Sequence, residues 1–286
     1  MTTPSRIRCR PIETADVPAI AALLRRGFPV RPLDYWTRGL DRLGRRAVPE
    51  GYPRYGYLLE HEGAPVGAIL LIAQEITHDG DPYVRCNLAS WYVEPAYRSH
   101  AAMLSLMPLR FKAATLLNIS AAPNTWPTIQ AQGFRRYLDG QALTLPMLGR
   151  GGRGATLRRY QTGDAPDLPE ARLLDDHVAN GCLAFLATDA AGTAPLVFLP
   201  LRARQGRFPF PGVQLIFCRD LADLSRFARP LGRALALQGR PFVLADVEGG
   251  KVPGQLVRRE SRRYVRGARS PRPGDLAYTE FTIFGP

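Results

Sequence analysis

Apolar and polar positions along the chain alternate in short blocks, and the blocks change period. Ile7–Pro11 reads as a short strand. Thr14, Ala15 and Asp16 offer capping groups for a helix through Leu24, with Val17, Ile20, Ala21 and Leu24 on one face. A second helix is predicted over Leu33–Leu43. Tyr55–Glu60 and Val66–Ile76 read as apolar strands joined at His61-Glu62-Gly63-Ala64, a turn containing glycine. Arg85–Val93 is the next strand. Ser99–Ala114 has helical spacing, with Pro108 kinking it or shifting its start. Leu116–Ala121 reads as a strand, Trp126–Ala131 as a short helix and Arg136–Pro146 as a strand.

Gly149–Gly154, with Arg150 and Arg153 among four glycines, is the best linker candidate. Beyond it the order partly repeats. A helix is predicted over Pro169–Val178, and strands over Cys182–Thr188 and Leu196–Leu201 around a turn at Asp189–Gly192. A strand over Val213–Cys218, a helix over Leu221–Leu237 and a strand over Pro241–Val247 follow. Ala277–Phe284 alternates and reads as a closing edge strand; the alternative is that Tyr278, Thr279 and Glu280 contribute to a cleft. Helix, hairpin, strand, helix, strand therefore occurs twice, with little residue identity between the copies.

Composition narrows the function classes. The 286 residues leave room for one large domain or two small ones, and 45% apolar residues exclude global disorder. The net charge is +13, which on its own points to nucleic acid or a membrane surface. Only two of the 38 basic residues, Lys112 and Lys251, are lysines. Such an arginine skew, with abundant Ala, Gly and Pro, is what a GC-rich coding sequence produces without selection for a partner. The dense runs Arg150–Arg159 and Arg258–Arg272 read as solvated loops, and a nucleic-acid role needs a basic stripe on a known module. Cys9, Cys86, Cys182 and Cys218 form no CxxC pair and read as buried thiols. The four histidines show no ligand spacing, so no metal is expected. Met1–Arg10 lacks the apolar core of a secretory signal, and no stretch is long enough for a membrane span, so a cytoplasmic location is expected.

The stretch carrying chemistry is Ser90-Trp91-Tyr92-Val93-Glu94-Pro95-Ala96-Tyr97-Arg98-Ser99-His100-Ala101-Ala102-Met103. It runs from a strand through a proline turn into the predicted helix. Unpaired N–H groups at such a helix start, with the Arg98 guanidinium beside them, make a pyrophosphate site; an ordinary strand-to-helix connection explains the same residues.

Here the chain resembles the GCN5-related N-acetyltransferase (GNAT) superfamily. Val93, Pro95, Tyr97 and Arg98 match its V-x-P-x-Y-R strand end, and Gly133-Phe134 matches the G-F that closes its second coenzyme A motif. The resemblance covers about Ile7 to Leu148. It implies an α/β fold with a mixed central sheet flanked by helices: a GNAT domain over 1–148, the linker 149–154, and a degenerate GNAT-like domain over 155–286. It also implies acyl transfer, most simply acetyl, from acyl-CoA to an amine or hydroxyl by direct attack. Trp91, Tyr92, Val93, Arg98, Ser99, His100, Ala101, Ala102 and Met103 would hold the coenzyme. The strands Arg85–Val93 and Leu116–Ala121 would splay so that the pantetheine arm pairs like an added strand.

Two departures stand out. Ala101 and Met103 replace the family's small phosphate-loop residues, and Ile129 stands where many members carry a tyrosine acid. A non-catalytic CoA-binding or interaction module is therefore the alternative. Candidate bases are Glu75 and His78, at what also reads as a solvated strand end, and Ser90. Asn87 and Trp126 are candidate cleft residues, or structural ones. After Val213–Cys218 the second half offers Asp220 and Asp223, which suit helix capping and repel a pyrophosphate.

Overall fold

The computed structural model describes residues 7–78, 81–201, 204–205, 208–209, 211–249 and 254–285. In chain order the first elements are β1 (Arg8–Pro11), α1 (Val17–Gly27), α2 (Leu33–Arg45), β2 (Gly56–His61), β3 (Ala64–His78) and β4 (Asp81–Val93). Then come α3 (Ala101–Leu106), β5 (Thr115–Asn118), α4 (Trp126–Ala131), β6 (Arg135–Thr144) and β7 (Thr156–Arg159). There follow α5 (Ala171–Ala179), β8 (Leu183–Asp189), β9 (Gly192–Pro200), the small ribbon β10 (Arg204–Gln205) and β11 (Phe208–Pro209), and β12 (Gly212–Cys218). Last are α6 (Asp223–Arg226), α7 (Ala228–Leu237), β13 (Phe242–Val247), β14 (Gln255–Arg266) and α8 (Glu280–Phe284).

The chain folds into two compact units. The first comprises 1–136, 263–270 and 278–284; the second comprises 137–262, 271–277 and 285–286. The division falls inside β6, twelve residues before the glycine-rich segment, and 278–284 return to the first unit.

In the first unit the strands lie in the order β1-β2-β3-β4-β5-β14. Every neighbouring pair is antiparallel except β4 and β5. Period-two alternation sends Leu58, Ala68, Leu70, Ile72 and Ala89 to one face, where Ile20, Leu24, Trp36 and Leu40 of α1 and α2 cover them. Leu59, Ile69, Leu71, Cys86, Leu88 and Leu116 go to the other face, under Leu104, Ile129 and Phe134. Arg10 ties the entry of α1 to the sheet by pairing with Asp16 at 2.6 Å and Glu60 at 2.7 Å.

In the second unit the order is β6-β13-β12-β9-β8-β7, and again only one pair, β12 with β13, is parallel. Phe185, Phe198, Leu215, Phe227, Leu231 and Val243 form its core. Each unit thus repeats one topology. The sixth strand of the second sheet, β6, stands at the start of that unit's run of sequence, whereas the first sheet is completed from the far end of the chain by the end of β14.

Several sequence expectations are corrected. The helix predicted over Ser99–Ala114 is the six-residue α3, because Pro108 lacks an N–H and opens a separate 3-10 turn over Pro108–Arg110. Ala277–Phe284 is no strand: Tyr278 takes a positive φ of 56° and Glu280–Phe284 coils into α8. Both arginine-rich runs hold strands, β7 and β14, where loops were expected. The helix over Leu221–Leu237 breaks at Phe227 into α6 and α7. Among the cysteines Cys86, Cys182 and Cys218 are buried, while Cys9 is only partly covered.

Candidate active site

The parallel pairing of β4 with β5 runs Arg85↔Thr115, Cys86↔Leu116, Asn87↔Leu117, and stops there. β4 continues for six residues to Val93, paired only with β3 among the described residues. Three residues past the last rung, β4 bulges: the register with β3 jumps between Ala68 and Leu70, and Ser90 sits at φ 52°. A serine in the left-handed region is strained by about 1–3 kcal/mol, and a bulge re-aims the backbone groups around it. The first unit therefore presents a strand edge with redirected N–H and C=O groups at the mouth of two diverging strands. The indole Nε1 of Trp91, next along the bulge, is buried without a partner among the described residues.

A carboxylate meets this mouth. Glu280, the first residue of α8, accepts a hydrogen bond from Ser120 Oγ at 2.5 Å and another from Nδ2 of Asn87. Ser120 lies just past β5, and Asn87 occupies the last paired rung of β4, so Glu280 spans the divergence point. Burial pushes the Glu280 carboxyl above its ordinary value, outweighing the lowering by Ser120, Asn87 and the Arg263 charge. Arg263 itself is anchored by donating to the carbonyl of Ile119 and lies 5.5 Å from the Phe281 ring centroid. The other amide atom of Asn87, Oδ1, is buried with no partner among the described residues. Van der Waals packing places α8: Ile283 and Phe284 are buried against α1 and α2.

Beyond the bulge, Pro95–His100 forms a 3-10 turn leading into α3. Its i→i+3 pattern engages the N–H groups of this turn; Tyr97 N–H bonds Glu94 O at 2.9 Å and Ala101 N–H bonds Arg98 O. The polar side chains remain outward. Arg98 is exposed and makes no ion pair among the described residues, Ser99 Oγ lies 3.1 Å from His100 Nδ1, and Tyr97 OH lies 3.0 Å from His61 Nδ1. A diphosphate would thus meet the Arg98, Ser99 and His100 side chains, not a ready cradle of backbone donors. Met103 is partly exposed on α3, where a smaller residue would allow closer approach.

No protein-family model matches the chain, and no curated protein matches it in sequence. Solved structures do. A GCN5-related N-acetyltransferase from Kribbella flavida matches with a TM-score of 0.60 at 15% identity, over 92% of this chain and 71% of that one. Another, from Anabaena variabilis, gives 0.61 at 12% identity, over 91% and 72%. A conserved protein of Enterococcus faecalis V583, described as a probable N-acyltransferase, gives 0.61 at 10% identity, over 95% and 74%. The chain has the GNAT fold. The second unit shows how that fold can close on itself. There the β12–β13 pairing also stops early, at Gln214↔Leu244, and β12 also bulges, between Leu215 and Phe217. Past that point the edge of β12 is taken by the chain's own segment: Asp275 bridges Phe217, Leu276 N–H bonds Ile216 O at 2.7 Å, and Cys218 N–H bonds Gly274 O at 2.9 Å. Gly274, at φ 84°, is required there, since a β-carbon would lie 2.5 Å from Cys218 Sγ.

Within this GNAT fold the sequence-predicted residues separate into groups. Asn87, Ser90, Trp91, Tyr92 and Val93 all lie along the diverging part of β4. Arg98, Ser99, His100, Ala101, Ala102 and Met103 follow on the turn and α3. Glu75 does not join them: it is exposed and pairs with Val84, six residues before Ser90, roughly 20 Å along the strand. His78 pairs through its backbone with Asp81, farther still, and its side chain lies outside the described residues. Trp126 donates its Nε1 to Ala121 O at 3.1 Å and, half-buried, packs against the core. Gly133-Phe134 closes α4 with Gly133 at φ 84° and Phe134 buried. Ile129 is buried and supplies no acid. Sequence reasoning did not place Glu280 beside Asn87 and Ser120. Its signal was Thr279 ahead of an acidic residue, a helix-start pattern masked by the alternation of Ala277–Phe284. Among the described residues no cluster could hold a metal ion, and no helix is long and apolar enough to cross a membrane.

Proposed function

We propose that the first unit transfers an acyl group, most simply acetyl, from an acyl-CoA thioester to an amine or hydroxyl acceptor, with Glu280 as the proton acceptor. The observation carrying this reading is the bulged edge of β4 diverging from β5 with a buried-side carboxylate at the divergence point. The pantetheine arm adds to the edge of β4 like a strand, and N–H groups between Trp91 and Val93 polarise the thioester carbonyl. Arg98, with Ser99 and His100, balances the diphosphate charge. A raised carboxyl pKa makes Glu280 a stronger base than a solvated glutamate. With Ile129 in the family's acid position, the leaving thiolate is protonated from solvent.

Calorimetric titration with acetyl-CoA and with free CoA tests this reading. Binding of both is expected, weakened about tenfold or more in Arg98→Glu, where a cation–anion contact becomes a repulsion. No binding of either at millimolar concentration overturns it.

We propose further that the second unit is a silent, degenerate GNAT-like lobe, because its own residues Gly274–Leu276 pair with the edge that a pantetheine arm would need. The same titration should then give one coenzyme per chain; two equivalent sites would refute this. The engaged N–H groups of the Pro95–His100 turn favour a second reading, a CoA-binding module without turnover. Thiol release from acetyl-CoA in the presence of amines distinguishes the two.

A further inference from the structure

In the second unit the glycine-rich segment Gly149–Gly154 packs against α7. Pro146–Leu148 forms a 3-10 turn shortly after β6, and the chain then crosses the start of the helix. Gly151 O accepts the Arg229 N–H at 3.1 Å, and a β-carbon at Gly151 would overlap the carbonyl oxygen of Ser225. Gly232 lets the backbone of the 3-10 turn approach α7, since a β-carbon there would lie 2.5 Å from Met147 N. The glycines meet the helix, while Arg150 and Arg153 between and beside them are exposed. Arg229, Arg233 and Leu237 stand at i, i+4 and i+8, one face of α7, and all three are exposed. Leu231 and Leu235 of the same helix are buried in the core of the unit, so α7 is held in the protein.

Arg150, Arg153, Arg229 and Arg233 make no side-chain hydrogen bond or ion pair among the described residues. Neither 145–154 nor 228–237 contains an acidic residue. Asp189 and Asp223 are already paired with Arg226. Apolar side chains stand beside these cations: Met147 is 54% exposed, Leu148 62% and Leu237 83%. Coding bias accounts for arginines but not for large apolar side chains held out among them. An anionic bilayer uses both, guanidinium groups at the lipid phosphates and apolar side chains beneath them. A nucleic acid would use the cations alone, and neither segment has an aromatic ring to stack on bases or an amide side chain to read them. We propose that this surface docks the protein peripherally on an anionic membrane. The proposal does not rest on the acyl-transfer reading, and it gives the second unit a task that needs no coenzyme.

Co-sedimentation of the full chain with lipid vesicles tests the proposal. Vesicles of phosphatidylcholine alone are compared with vesicles of phosphatidylcholine mixed with phosphatidylglycerol. Partition onto the mixed vesicles is expected to be at least about tenfold stronger. A chain of net charge +13 is drawn to any anionic surface, so two double variants of equal charge are compared. Arg229→Glu with Arg233→Glu should lower partition about tenfold or more. Arg25→Glu with Arg110→Glu, at exposed positions of the first unit, should lower it by less than about threefold. Met147→Ser with Leu148→Ser leaves the charge unchanged and should lower partition about fivefold or more. Equal partition of the unaltered chain onto the two vesicle types overturns the proposal, whatever the variants do. Equal losses in the two arginine pairs overturn it too, because they mark a general charge attraction. Undiminished partition in the Met147–Leu148 variant removes the membrane as partner. If duplex DNA is then held through Arg229 and Arg233, the surface belongs to nucleic acid.

Discussion

Glu280→Gln lowers kcat by about 10²–10⁴-fold, the range that a lost general base commonly costs. Acyl-CoA affinity should shift by less than about threefold, because in the proposed reaction Glu280 serves the acceptor, and its hydrogen bonds go to Asn87 and Ser120 rather than to the bulged edge of β4. The pH profile supplies the sharper check. The base works only when ionised, and burial holds its proton to a higher pH than in a solvated glutamate. Activity is therefore lost as pH falls through that raised value, and kcat/KM has a rising limb displaced upward from the ordinary carboxylate position. Glu280→Gln abolishes the limb, leaving only the ionisation of the amine itself. Glu280→Asp, one methylene shorter, retains the limb at reduced rate. Full activity in Glu280→Gln, or an unchanged acid limb, would show that the proton goes elsewhere.

What the sequence revealed follows from how local each signal is. The run Gly67–Ala73, the glycine turn at His61–Ala64 and the Val93-to-Arg98 strand end each encode their structure within a few residues, and the hairpin, the central strand and its turn formed where expected. β14 was hidden because its first half is exposed on both faces: Leu256, Val257, Arg258 and Glu260 all face solvent, so no alternation marks it. Its partner strand β5 is more than a hundred residues away, and no local pattern states which sheet a strand will join. The same holds for β6, whose pairing with β13 from Val243↔Thr144 to Val247↔Gly140 carries it into the second unit. The candidate site divides likewise. The part proposed for the coenzyme was legible, since one contiguous stretch from Ser90 to Met103 carries it. The part proposed for the acceptor was not, since Asn87, Ser120 and Glu280 are brought together only by the exchange of strands and the return of the chain end. Glu75 and His78 lie on the same hairpin as Ser90 but toward its far end, away from the point where β4 and β5 diverge.

The other large effect comes from a residue that touches nothing reactive. Gly39 lies within α2, facing α8, and a β-carbon built there overlaps the Phe284 ring. Helix propensity alone predicts that Gly39→Ala stabilises the protein by about 1 kcal/mol. Overpacking predicts the opposite, at about 1–3 kcal/mol, because the ring cannot retreat without leaving Trp36 and Tyr35. The overlap is with a buried ring among close-packed neighbours, so the second effect wins and the melting temperature falls by a few degrees. The cost to catalysis is larger. Phe284 and Glu280 share the five-residue α8, and displacing the ring moves the carboxylate off the Asn87–Ser120 pair. A shift of about 1 Å at a reacting group can cost on the order of 100-fold in rate, so Gly39→Ala should lower kcat comparably while acetyl-CoA affinity holds. Phe284→Leu in the same chain removes the overlapping ring atoms and should restore much of kcat, a non-additive pair that simple loss of stability would not produce. If Gly39→Ala instead melts higher and turns over normally, α8 is not held by this packing, and Glu280 is not positioned by it.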